Sequence, residues 1–114
     1  MRYALHSLVR EGHESGYDDT HATIPDDLVA TFARVGITDW TIWRSGRDLF
    51  HLVESDDLPA ALDALEGDPA NTAWQATIGP YVDHFEVTGP GNAGMAVPQV
   101  WRLAEQRGDA STSR

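Results

Sequence analysis

Tyr17 and His21 stand four residues apart, and Pro25 follows four residues later. Residues at that separation share one face of a helix, so a phenol and an imidazole placed there can address one small ligand. Imidazole both takes and gives a proton near neutral pH, and a phenol holds a hydroxyl or donates to one. The chemistry on offer is therefore acid/base work on a small substrate. The same spacing also suits a packed aromatic beside a surface histidine, so the rest of the chain must decide between the two.

The other chemistry-bearing side chains narrow the field. His6 and His51 fall on segments that read as the first and third strands, where strand pairing could bring them together or turn them towards a pocket; core packing is the expectation for both. His13 beside Gly12 suits a surface helix entry, and His84 after Gly79-Pro80 suits a loop. A helical metal site would want histidines at i and i+4, but the residue at that spacing from both His13 and His21 is Tyr17, so no metal is expected. The chain has no cysteine, which removes thiolate nucleophiles, disulfides and cysteine metal sites together and fits a reducing compartment. Gly89-Pro90-Gly91 is turn chemistry rather than a phosphate loop. A formal net charge of -10 repels phosphate backbones and anionic lipid, so neither nucleic acid nor membrane is an expected partner. No apolar run approaches the roughly 20 residues that span a bilayer, and the opening MRYALHSLVR lacks a basic region followed by an apolar signal core. A cytoplasmic location is expected.

The 114 residues suit one compact domain, read as residues 1–104 with a flexible polar tail over 105–114. Residues 2–9 read as a first strand and 14–22 as a short helix. Pro25 opens a second helix with Thr23 as its possible cap, Asp26 and Asp27 in its first turn, and Leu28, Phe32 and Val35 as its buried stripe up to Gly36. Residues 39–44 and 48–54 form a hairpin around Ser45-Gly46-Arg47. Ser55, Asp56 and Asp57 precede a helix carrying Leu58, Ala61, Leu62 and Leu65, closed by Gly67. Asp68-Pro69 starts another with Trp74 and Ile78 on one stripe; Gly79-Pro80 breaks it and takes Tyr81 off that stripe. Residues 88–96 read as a loop and 97–103 as a last strand. The order predicts an α+β fold, the ferredoxin-like split βαβ. Trp40, Ile42, Trp43, Phe50 and Leu52 put large apolar side chains on both faces of the hairpin. A second copy of the chain is the simplest cover for the open face, so a homodimer is expected; the face packs in that dimer, lines a ligand pocket, or does both.

These motifs, in this order, resemble the L-rhamnose mutarotase family from about Arg2 to Leu103, a resemblance that implies a dimeric α/β-barrel. The family's Tyr-x3-His-x-x-Ile-Trp-Pro-Glu-Leu segment is matched by Tyr17, His21, Ile24, Pro25, Asp26 and Leu28. Gly36-Ile37-x-x-Trp40-x-Ile42-Trp43 is similar to its second strand, and Leu49-Phe50-x-x-Val53-Glu54, the Trp74 helix and residues 97–103 resemble later segments. The chain departs from the pattern in four places. Pro25 follows Ile24 directly without the family's tryptophan; Trp40 replaces a tyrosine; Gln75 stands where a second tryptophan is usual; and Thr77 replaces a tyrosine a turn further on.

The resemblance implies a cofactor-free, metal-free enzyme that interconverts the α and β anomers of L-rhamnose or a related 6-deoxy monosaccharide. It assigns His21 as the general acid/base and Tyr17 as the neighbour that orients a hydroxyl or relays a proton. Trp40 and Trp74 become aromatic walls against the sugar, with Gln75 beside them as a substrate-binding residue. Two other readings stay open: another cofactor-free enzyme of the same architecture, such as a small monooxygenase or lactone isomerase, and a sugar-binding domain without catalysis.

Overall fold

The computed structural model describes residues 1–108. Four strands, β1 (Arg2–Val9), β2 (Ile37–Ser45), β3 (Asp48–Ser55) and β4 (Val82–Glu86), form one sheet in the order β2-β3-β1-β4. All pairings are antiparallel. Side chains alternate across a strand, so Leu5, Ser7 and Val9 of β1 and Leu49, His51 and Val53 of β3 share the inner face, and all six are buried. The β2–β3 hairpin turns through Gly46, whose φ of 60° suits the first central position of a tight hairpin turn.

The split βαβ order is as expected, but its last strand is not residues 97–103. β4 precedes them and pairs with β1 from His6 to Val9, placing His84 on a strand rather than in a loop. Residues 2–5 of β1 are left on that edge, and Val97 makes an isolated bridge to Ala4. Pro98, lacking an N–H, stops the pairing from continuing. The segment then ends in a short helix, α5 (Leu103–Arg107), which includes residues expected in the tail; residues 109–114 lie outside those described. β4 was easy to miss because only Val82 and Phe85 of its five residues are apolar.

Helices α1 (Glu14–Thr20), α2 (Asp26–Arg34), α3 (Leu58–Glu66) and α4 (Pro69–Ile78) follow the sequence closely. Thr23 does not cap α2. Pro25 holds that position in extended conformation without a side-chain cap, and Gly36, at φ 95°, takes the left-handed position that ends the helix. Asp57 caps α3 by accepting from the Ala60 amide at 3.1 Å. α4 stops at Ile78 and a 3₁₀ turn over Gly79–Tyr81 carries Tyr81 off the helical stripe. In α1, Gly16 makes room for Tyr81, whose ring Cε1 lies 2.6 Å from where a Cβ would stand.

The core falls into two clusters. One gathers Leu5, Ile37, Val53, Leu58, Ala61 and Leu65. The other gathers Val9, Tyr17, Leu28, Leu49, Trp74 and Ile78, and Phe32 packs against both. Asp68 joins the helices across the gap. Its buried carboxylate accepts from the Asn71 amide at the start of α4, from the Thr31 hydroxyl of α2 at 3.1 Å and from Arg34 at 2.9 Å. Replacing Asp68 by Ala removes a cap and strands buried donors, for an expected loss of about 3 kcal/mol, against about 1 kcal/mol for Asp68→Asn, which keeps an acceptor. Urea denaturation of the two variants checks this order; equal losses would show that a neutral acceptor does not replace the carboxylate.

Candidate active site

A cavity of about 770 Å³ lies between the inner face of the sheet and the helices. That is within the range of sites that enclose small organic ligands. Tyr17, His21, Trp40, Trp74 and Gln75 all line it.

Three of these five form one cluster. Tyr17 on α1 is only 5 % exposed. His21 follows the helix as its C-terminal cap, with its amide bonded to the Tyr17 carbonyl at 2.9 Å. The intervening turn brings the two rings to a centroid distance of 5.4 Å at a tilt of 39°, while the indole of Trp74 meets the His21 ring edge-on at 5.2 Å. α1 is fixed to the sheet by a two-pronged ion pair, Arg44 to Asp18 at 2.7 and 2.6 Å. The Arg44 hydrogen bond holds the Asp18 carboxyl below the usual carboxylate range. Burial, with Asp18 adding to it, pushes the Tyr17 phenol up to about 12. At neutral pH Tyr17 is a hydrogen-bond donor rather than a base.

Trp40 belongs to a different part of the cavity. Its ring packs against Phe32 at 5.5 Å, and its indole N–H donates to Nδ1 of His51 at 3.0 Å. Gln75 sits on the exposed side of α4, with its amide 3.4 Å from the Asn71 side chain; both residues reach the cavity wall. Thr77 turns back to the Ala73 carbonyl at 3.2 Å, so its hydroxyl serves its own helix. Among the described residues no group of three or more His, Asp or Glu side chains is placed to hold a metal ion.

Two further residues at the cavity, Ser7 and His51, lie outside the expected site set. His51 is packed in the core as expected, but it also lines the cavity, and its Nε2 lies 2.9 Å from the hydroxyl of Ser7. Indole N–H can only donate, so His51 Nδ1 accepts and Nε2 carries the proton given to Ser7. Burial first, and then His21 and His6, push the His51 imidazole down to about 4. The signal was present: Ser7 between Leu5 and Val9, and His51 between Leu49 and Val53, are polar residues at inward positions of alternating strands. His6 is not a core residue. It lies on the outer face, stacked on Phe50 at 5.2 Å and paired with Asp48 at 2.8 Å, so it and His51 are separated by the sheet.

The family described as L-rhamnose mutarotase matches residues 2–103. No curated protein sequence matches at a significant level. Among solved structures, an L-rhamnose mutarotase from Formosa agariphila superposes with a TM-score of 0.66 at 16% identity, over 90% of this chain and 98% of that one. Tetracenomycin F2 cyclase from Streptomyces glaucescens, a type-II polyketide cyclase, gives 0.61 at 13% identity over 90% and 96%. An uncharacterized NIPSNAP domain protein from Burkholderia xenovorans gives 0.52 at 17% identity over 75% and 88%. At these identities the structural likenesses establish the shared ferredoxin-like fold.

The neutral His51 has a consequence for stability. Its folded value of about 4 lies below the ordinary 6.5, so as pH falls below 6.5 the unfolded chain binds a proton that the folded chain refuses. Stability then drops until pH reaches about 4, by about 3 kcal/mol from this group. Urea denaturation at pH 7 and pH 4 should show a pH-dependent loss smaller by about that amount in His51→Gln, and equal losses in the two proteins would remove His51 as the cause.

Proposed function

The chain belongs to the L-rhamnose mutarotase family, and on that premise we propose that it interconverts the α and β anomers of L-rhamnose or a closely related 6-deoxy sugar. The observation that carries the reading is the contact set of Tyr17, His21 and Trp74 at a cavity wall, where a proton-transferring ring, a protonated phenol and an indole meet.

Anomer exchange needs only proton movements. The O1 hydroxyl loses its proton as the bond from C1 to the ring oxygen breaks and C1=O forms; the ring oxygen gains a proton. Rotation about C1–C2 and the reverse steps close the ring on the other face. His21 is the acid/base that carries the proton between these oxygens, since imidazole has an accepting and a donating nitrogen. Tyr17, kept protonated by burial, donates to a sugar oxygen and holds it against His21. Trp74 and Trp40 line the cavity with aromatic surface suited to the sugar's C–H bonds, and Gln75 and Asn71 supply amides for hydroxyls. Nothing in these steps calls for a metal or an organic cofactor.

A second copy of the chain fits the outer face of the sheet. Trp43 and Phe50 face each other across the β2–β3 pair and are 54% and 46% exposed. A homodimer formed through this face buries them and leaves the cavity, on the opposite face, intact. Light scattering coupled to size-exclusion chromatography should report a dimer, and Trp43→Glu combined with Phe50→Glu a folded monomer; a dimer that survives both changes places the interface elsewhere.

The reaction is tested by saturation-transfer NMR on the C1 protons of L-rhamnose, with L-fucose and D-glucose alongside. We expect faster exchange for L-rhamnose and, in His21→Ala, a loss of that acceleration of about a hundredfold or more with the circular dichroism unchanged. Acceleration that survives in His21→Ala removes this residue from the mechanism. No acceleration with any sugar would favour a different cofactor-free reaction on a larger aromatic substrate, for which the cavity and the ring wall of Phe32, Trp40 and Phe85 have room.

A further inference from the structure

Three polar side chains run in a diagonal line across the inner face of the sheet. In the strand register His51 is paired with Leu5 on one side and Ile42 on the other, so Ser7 of β1 and Trp40 of β2 are both its diagonal neighbours. Side chains in that relation touch only when they are long or aromatic. Here they make two hydrogen bonds in series, Trp40 to His51 at 3.0 Å and His51 to Ser7 at 2.9 Å. The His51 ring is also enclosed by rings on either side, Trp40 at 5.9 Å and Phe85 at 5.4 Å.

We propose that Ser7 and His51 are positioning residues that fix the indole of Trp40 as a rigid wall of the sugar site, so that substrate affinity depends on two side chains that donate nothing to the substrate. The proposal rests on the mutarotase reading of the cavity. Ser7 lies at the cavity wall but is 0 % exposed, with its hydroxyl bonded to His51, so its effect on the site passes through His51. Both ring nitrogens of His51 are occupied, one accepting from Trp40 and one donating to Ser7, so His51 offers the cavity carbon surface rather than a polar group.

The direction of each bond follows from donor chemistry. Trp40 can only donate, which fixes the His51 tautomer; Ser7 accepts the remaining ring proton and holds the ring's rotation. With its N–H turned into the sheet, Trp40 is left to meet the substrate through carbon. Without the tie, the indole is free to rotate about its side-chain torsions and its N–H becomes an unpaired donor in an apolar cavity. Trp40 lines that cavity and is packed against Phe32, so a change in its orientation is felt by any bound ligand. The interaction acts on binding, since neither Ser7 nor His51 lies in the contact set of Tyr17, His21 and Trp74.

The test is a double-mutant cycle between His51→Leu and Trp40→Phe, read as KM and kcat for L-rhamnose anomer exchange. We expect His51→Leu to raise KM roughly tenfold with kcat changed less than about twofold, and to have no further effect on KM in the Trp40→Phe background. His51→Gln, which retains an acceptor for the indole and a donor for Ser7, should restore KM. A KM rise that persists in full with Trp40→Phe, or a loss confined to kcat, overturns the proposal. Nitrogen-15 NMR provides a readout that does not need turnover: the wild-type His51 should carry its proton on Nε2, and the Trp40 indole signal should move in both His51→Leu and Ser7→Ala. A proton on Nδ1, or an indole signal indifferent to both changes, also overturns it. Absence of catalysed exchange in the wild type would refute the mutarotase reading alone, and the indole signal would still decide whether Ser7 and His51 position Trp40.

Discussion

The cavity depends on the buried carboxylate of Asp68. A two-layer α+β domain ordinarily closes its helices onto the sheet with a continuous apolar seam, because voids forfeit dispersion contacts and stability. Here the helices over the cavity are held to one another as well as to the sheet: Asp68 starts α4 and takes hydrogen bonds from Thr31 and Arg34 of α2. Cross-linked in this way, α2 and α4 behave as a roof, with packed clusters beneath each end and Phe32 touching both. A carboxylate suits this task because it accepts several hydrogen bonds at once in a fixed geometry, which a pair of leucines cannot do.

Within that frame, the environment sorts the polar side chains by what each can do with a proton. Burial drives Tyr17 towards its protonated form and His51 towards its neutral form, in both cases the uncharged state. Tyr17 is thereby reserved for donating, and His51 for holding Trp40. His21 differs in position rather than in type. It follows α1 instead of lying within a strand, with its ring set between those of Tyr17 and Trp74. Two histidines at one cavity therefore differ in setting, the strand one hydrogen-bonded at both ring nitrogens and the helix-end one set between two aromatic rings.

Most of this fold was legible because its cues are local. The Asp68 start of α4, the glycines at 36 and 46, and the Gly79-Pro80 break each impose backbone geometry by themselves and appear where expected, while among Ser55, Asp56 and Asp57 it is Asp57 that caps α3, with no acidic residue in its first turn. The spacing of Tyr17 and His21 likewise fixes their proximity, whatever packs around them. What failed was decided by competition between distant segments. Residues 97–103 have the apolar content of a strand, but β4, with two apolar residues out of five, pairs with the His6–Val9 half of the free edge of β1 and leaves Val97 a single bridge to Ala4. The Ser7–His51–Trp40 line was hidden for a related reason. Its members are 44 and 11 residues apart, and strand register alone brings them together.

That register also separates the two jobs the sheet performs. Along β3, Leu49, His51 and Val53 face inward, whereas Phe50 and Leu52 face outward; along β1, Ser7 faces in and His6 faces out to stack on Phe50. Side-chain alternation makes the separation strict, since slipping one strand by a single residue would exchange its two faces. A slip of β3 would point Phe50 into the helices and turn His51 outward, away from both of its hydrogen-bond partners. Chemistry on one face and apolar surface on the other are thus held by the same hydrogen-bond ladder, so the interactions that keep the β2–β3 hairpin in register also keep the binding wall and the outer face apart.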